Sequence, residues 1–204
     1  MEIVRVSVRG LVEFILRSGD IDNRRAGAER DAVQLGGRLH RKIQRQMGSG
    51  YHPEVSLKYT KDGDDFQLLV EGRADGIITT SSGTVIDEIK GMFKDLDLIT
   101  EPVPVHLAQA KCYAYIYASQ QHLSEIGIQM TYCNMDTEDI KRFQSVYTLE
   151  ELEAWFTDLI DQYEKWVPDP EDKKKSYPPY KYEIEMLRED QFDPDVQEKI
   201  LAQS

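Results

Sequence analysis

Cysteine is almost absent. The 204 residues contain two, Cys112 and Cys133, and neither falls in a C-x-x-C pair. That excludes a disulfide framework, a zinc ribbon and a four-cysteine iron–sulfur cluster. No run approaches the roughly 18 apolar residues that a membrane-crossing helix needs. The opening MEIVRVSVRG lacks the apolar stretch and small-residue cleavage site of a signal peptide. The expected setting is therefore reducing and cytoplasmic, without membrane contact. No G-x-x-x-x-G-K-[ST] occurs, so no nucleotide cofactor or ATP-driven motor is expected. Internal repeats are also missing.

Positive charge is scarce as well, with 25 Lys and Arg against 37 Asp and Glu, a net of -12. A protein that binds nucleic acid needs cations against phosphate. The shortage is uneven, however: residues 1–50 hold ten Lys or Arg against six acids, and the deficit lies in the remainder. A basic N-terminal face beside an acidic site is one arrangement this allows; an acidic chain without a nucleic-acid partner is another.

The hydrophobic pattern supplies the elements. Ser7 is placed to cap a short helix over VRGLVEFILRS, ended by Gly19. Val33, Leu35, Leu39 and Ile43 recur at helical spacing, predicting a long helix from Arg24 to Met47. Gly36-Gly37 within it suggests close packing or a kink. The period then shortens to two. EVSLKYTK and FQLLVEG flank a turn at Asp62-Gly63-Asp64-Asp65, and GRADGIITT and TVIDEIKG flank Ser81-Ser82-Gly83. VHLAQAKCYAYIYASQQ is a helix with prolines at its start, IGIQMTYCNM and IKRFQSVYT are strands, and Thr148 with Glu151 forms a capping box for TLEELEAWFTDLIDQYEKW. This order predicts an α/β fold in three layers, a mixed central β-sheet flanked by helices. Residues 1–166 form the expected domain. From Val167 the run PDPEDKKKSYPPY reads as a linker, with 167–204 a peripheral segment and Lys173, Lys174 and Lys175 solvated.

Chemistry concentrates around the second hairpin. Glu88 and Lys90 share a strand face, while Asp87 points the other way. A two-residue loop at Ser81-Ser82 sets Asp75 directly opposite Glu88; a three-residue loop offsets the register unless a bulge restores it. Two adjacent carboxylates repel unless a cation separates them, and an all-oxygen pair suits Mg²⁺ or Mn²⁺. A neighbouring ammonium completes the parts for metal-assisted phosphodiester hydrolysis. The plainer alternative is a surface salt bridge on a solvated hairpin. Gln109 and Tyr113 share a helix face and could orient a lysine, a water or a phosphate; alternatively Tyr113 is simply core. Glu71, of the same parity as Asp75, is a possible third acid or an exposed carboxylate.

The order Gly36-x-x-x-His40, Gly72-x-x-Asp75, Glu88-x-Lys90, Gln109-x-x-x-Tyr113 resembles the PD-(D/E)XK nuclease superfamily, and within it the RecB-like branch, over about residues 24–134. Ala74 stands where that motif often has proline. The opening VSVRGLVEFILRSGDID is also similar to nuclease domains that precede DinG- or XPD-like helicases. The resemblance implies a restriction-endonuclease-like core. In it His40, Asp75, Glu88 and the backbone carbonyl of Ile89 bind Mg²⁺ or Mn²⁺, and Lys90 is the catalytic lysine. Gln109 and Tyr113 would help place that lysine and the DNA backbone. It further implies exonuclease-like action on single-stranded DNA or DNA with free ends, in repair or recombination, with a helicase as a candidate partner. The alternative is a catalytically idle DNA-binding module. Arg5, Arg9, Arg17, Arg24, Arg25, Arg38, Arg41 and Arg45, several of which flank His40, are with His106 the candidate DNA contacts.

Overall fold

The computed structural model describes residues 2–16, 26–63 and 66–166. In it the chain opens as a strand, β1 (Glu2–Ser7), before turning into α1 (Val8–Leu16). The sequence reading lacks β1 because its six residues are too few to show a period. Its partner is distant: β1 pairs in parallel with Phe66–Glu71. Ser7 caps α1 as expected, its Oγ accepting the Gly10 N–H at 2.9 Å. Gly19, Arg17, Arg24, Arg25, part of the 62–65 turn, and the segment 167–204 with its three lysines lie outside the described residues.

The remaining elements are α2 (Ala26–Gln46), β2 (Tyr51–Asp62), β3 (Phe66–Thr80), β4 (Gly83–Met92), α3 (Pro104–Gln121), β5 (Glu125–Asn134), β6 (Ile140–Thr148) and α4 (Leu149–Glu164). The strands form one six-stranded mixed sheet, β1-β3-β4-β5-β6, with β2 also on β3. The β1–β3 and β4–β5 pairs are parallel and the others antiparallel. α1, α3 and α4 bury Leu11, Ile116 and Phe156 with Ile86, Ile128 and Met130 on one face. α2 packs Leu39 and Ile43 on the other, against Ile89, Cys133 and Met135. This is the expected three-layer, restriction-endonuclease-like α/β arrangement. α4 begins on the expected capping box, with the Thr148 N–H donated to Glu151 at 2.8 Å and the Glu151 N–H returned to Thr148 Oγ1 at 3.2 Å. No described helix is long and apolar enough to cross a membrane.

One strand determines where the site lies. β2 lines one edge of β3 from Gln67 to Ile78, so β1 and β4 must share the other. β1 takes Phe66–Glu71 and β4 takes Gly76–Thr80. Between them, residues 72–75 border a fork in the sheet.

The fork coincides with a change of face. Pro53 pairs with Gly76 and Val55 with Ala74, but the Glu54–Asp75 pair between them is skipped. Glu54 sits at φ 56°, a left-handed conformation that costs a non-glycine residue about 1–3 kcal/mol. Before this point the even-numbered Leu68, Val70 and Ala74 enter the core beneath α3; after it the odd-numbered Ile77 does. Parity arguments across the break therefore fail. Glu71 lies 3.9 Å from Arg5 with its side chain 44% exposed, which is the exposed carboxylate of the two readings.

Two glycines let aromatic rings close on this stretch. A Cβ on Gly72 would stand 2.7 Å from the Tyr113 hydroxyl, and one on Gly76 would stand 2.0 Å from the Tyr51 ring. Gly36-Gly37 behaves differently from expectation. α2 runs through it without a break, and among the described residues nothing lies within 4 Å of a Cβ built on Gly36 and only an Arg41 nitrogen is near Gly37. Among the described residues the pair packs against nothing that alanine would displace. Urea denaturation should therefore separate two substitutions of the same kind. Gly76→Ala should destabilise the fold by about 2–3 kcal/mol through overpacking, and Gly36→Ala should stabilise it by about 0.5–1 kcal/mol. Equal effects would contradict this packing.

Candidate active site

The hairpin turn is the two-residue form, with Thr80 paired to Gly83 across Ser81-Ser82. The ladder ends at Gly76–Asp87, so the next positions, Asp75 and Glu88, face each other where the strands part. There the Asp75 side chain bridges to β4: its Oδ2 accepts the Ile89 backbone N–H at 2.8 Å. The resemblance implied a role for the Ile89 carbonyl; the structure shows that its amide already belongs to the site.

Glu88 is 1 % exposed. Its Oε1 lies 2.9 Å from Lys90 Nζ, and Lys90 Nζ also donates to Gln109 Oε1 at 2.9 Å. Tyr113, one turn further along α3, is buried with its ring against Gly72. His40 reaches in from α2, its Nδ1 3.4 Å from Asp75 Oδ1. The six side chains singled out in the sequence thus meet at one place, supplied by α2, β3, β4 and α3. They are not a solvated surface pair.

The electrostatics are those of a site short of one positive charge. Among the described residues, Glu88 Oε2 is buried with no hydrogen-bond partner. Desolvation pushes the Glu88 carboxyl up to about 7; Lys90 and His40 pull it down while the Asp75 charge adds to the rise. For His40, burial alone lowers the imidazole, but the hydrogen bond to Asp75 and its charge outweigh that and leave it raised. An orphaned buried carboxylate oxygen, a second carboxylate and an imidazole are the donor chemistry of a small divalent cation. Among the described residues, no three His, Cys, Asp or Glu side chains are grouped closely enough to enclose an ion as they stand. Asp75 and Glu88 are each engaged with protein donors, so ligation requires side-chain adjustment. The donor set fits a hard cation in kind.

A cleft opens beside these groups, lined by Arg9, Glu13, His40, Lys90, His106 and Gln109 among others. Arg9 is held by Glu13 at 2.7 Å. His106 has Nδ1 3.4 Å from the Tyr132 hydroxyl, and that hydroxyl accepts the Val103 N–H at 2.9 Å. Burial, with Lys90 and Arg9 nearby, lowers the His106 imidazole to about 4. Arg38, Arg41 and Arg45 are exposed on α2 and are not among the cleft-lining residues.

Sequence reasoning missed the support behind the acids. Asp87 does point away from the site, into a buried cluster: it accepts from Thr131 at 2.6 Å, Gln129 at 3.0 Å and Tyr51 at 3.1 Å. Gln44 donates to the Asp75 carbonyl at 2.9 Å. Gln44 is four residues after His40, so its place on the same helix face was available in the sequence. Its target, a carbonyl at a skipped strand pair, was not.

No family model matches the chain. Proteins named probable endonuclease 4, from Staphylococcus aureus strains JH9 and Newman, are 58% identical to it over 33 residues, 16% of this chain and 11% of theirs. The chain thus spans about a tenth of the length of the curated relatives it matches. Among solved structures, SSO0001 superimposes with a TM-score of 0.53 at 19% identity, over 82% of this chain and 78% of that one. An alkaline exonuclease (LHK-Exo) from Laribacter hongkongensis superimposes at 0.46 with 11% identity, over 80% and 89%. The likeness to SSO0001 is one of fold.

The burial of His106 gives a direct check. Its ring should stay neutral in a ¹H–¹⁵N NMR titration down to about pH 4. A midpoint near the ordinary value of about 6.5 would show that the cleft wall is not closed around it.

Proposed function

We propose that this chain is an Mg²⁺- or Mn²⁺-dependent deoxyribonuclease of the PD-(D/E)XK type and RecB-like branch, acting on single-stranded DNA or DNA ends. The observation that carries the reading is the buried Glu88 oxygen without a partner among the described residues, set beside Asp75 and Lys90. A surface salt bridge has no such atom, and a module that only binds DNA has no need of one. A 33-residue stretch, 58% identical to proteins named probable endonuclease 4, is in keeping with a nuclease.

Asp75, Glu88 and His40 would hold the cation. When bound, it supplies a Lewis acid that polarises the phosphate and activates water. The chain's own residues do the rest. Lys90 offers a positive charge and a hydrogen bond to a non-bridging phosphate oxygen as negative charge develops there. Gln109 restrains the Lys90 ammonium from one side and Glu88 from the other, and by the resemblance Tyr113 helps place that lysine. Arg9 and His106 present donors along the cleft wall, where the backbone would lie. By the same resemblance, the work belongs to DNA repair or recombination beside a helicase.

The test is cleavage of end-labelled single- and double-stranded DNA with Mg²⁺, Mn²⁺ or EDTA. The parent should cleave in a metal-dependent manner and release short products from ends. Asp75→Ala and Lys90→Ala should each lose about 100-fold or more in rate. Lys90→Ala cutting as fast as the parent would remove Lys90 from the mechanism, and DNA binding without cleavage by the parent would identify an idle module.

A further inference from the structure

We propose that Gln44 is a positioning residue for Asp75, fixing the strand backbone so that the carboxylate faces Glu88 and the Ile89 amide. The inference rests on Asp75 being the active-site acid. Residue 75 stands opposite the left-handed Glu54, where the β2–β3 register skips a pair, so the regular ladder does not hold the backbone there. Both Nε2 hydrogens of Gln44 are committed at this break, one to the Asp75 carbonyl at 2.9 Å and one to Glu54 Oε1 at 2.9 Å. Glu54 is anchored in turn by Arg73 Nε at 2.6 Å.

The other candidate to hold that carbonyl is the Tyr51 hydroxyl, 3.4 Å from it. A phenol has one proton to give, and the Asp87 carboxylate, at 3.1 Å, is closer. Charge also favours Asp87 as the acceptor. Asp87 is itself fixed by Thr131 and Gln129, so Tyr51 is a fixed wall and Gln44 is the donor that holds Asp75. One turn of α2 therefore grips the acid at two points, with His40 on its carboxylate and Gln44 on its backbone. Released from Gln44, residue 75 can rotate, and the carboxylate loses its aim at the Ile89 N–H.

Gln44→Met keeps the side-chain length and removes the donor. Hydrogen exchange of single amides by NMR reads the effect without any cleavage. The Ile89 amide, held by the Asp75 carboxylate, should exchange about tenfold faster, the cost of one lost hydrogen bond, while Ile86 and Ile128 stay as in the parent. In the cleavage assay kcat should fall by a similar factor with KM for DNA within about twofold. Gln44→Glu, which turns an oxygen toward both the carbonyl and Glu54, should show the larger change in both readouts. Unchanged exchange at Ile89, or equal acceleration at all three amides, would overturn the proposal, the latter by showing a general loss of stability. A parent that cuts no DNA would sink the nuclease reading, and the exchange at Ile89 would still decide the role of Gln44.

Discussion

The hydrogen bond from the Ile89 amide to the Asp75 carboxylate, 2.8 Å long, ties together two strands that have just separated. β3 leaves the β1 pairing after Glu71 and takes up the β4 pairing only at Gly76. The four residues between would otherwise border an open seam. Closing it with a side chain puts one acid at the seam and its neighbour Glu88 across from it. Tyr113 fills the upper part over Gly72, and Lys90 and Gln109 line the rest. The site is thus a product of the sheet's topology.

That placement carries an electrostatic cost. Asp75, Glu88 and the Asp87 cluster bring three carboxylates to adjacent strand positions, two of them almost wholly buried. Asp87 is satisfied by three donors, and is structural. Glu88 has one oxygen on Lys90 and one without a hydrogen-bond partner among the described residues. A carboxylate raised to about 7 from an unfolded value near 4.5 opposes folding when ionised. The penalty is absent below the unfolded value, grows between the two, and is fully present above about pH 7. A bound cation would remove it, so stability and metal binding are linked at this residue.

Much of this was legible in the sequence, and the limits are physical. Thr80–Gly83 around Ser81-Ser82 is a local turn, so the register that sets Asp75 against Glu88 follows from chain geometry. His40, Gln109 and Tyr113 stand at helical spacings that survive folding unchanged. β1 was not legible, since a six-residue strand is defined by a parallel partner some sixty positions away. Nor was the change of face at Glu54, because a positive φ at glutamate has no compositional signature. That one unseen irregularity breaks the alternation of core residues between Ala74 and Ile77. It also accounts for Gln44, whose function exists only where a strand pair is missing. The glycine pair in α2 misled for the opposite reason, since glycine marks the possibility of close approach without requiring it.

We propose that a divalent cation completes the Glu88–Asp75 pair, and thermal unfolding with and without Mn²⁺ reads this. The parent should gain several degrees in Tm in millimolar Mn²⁺, while Glu88→Gln, which keeps the shape and removes the charge, should gain little. The same rise in both proteins, or none in either at pH 7.5, would contradict the account.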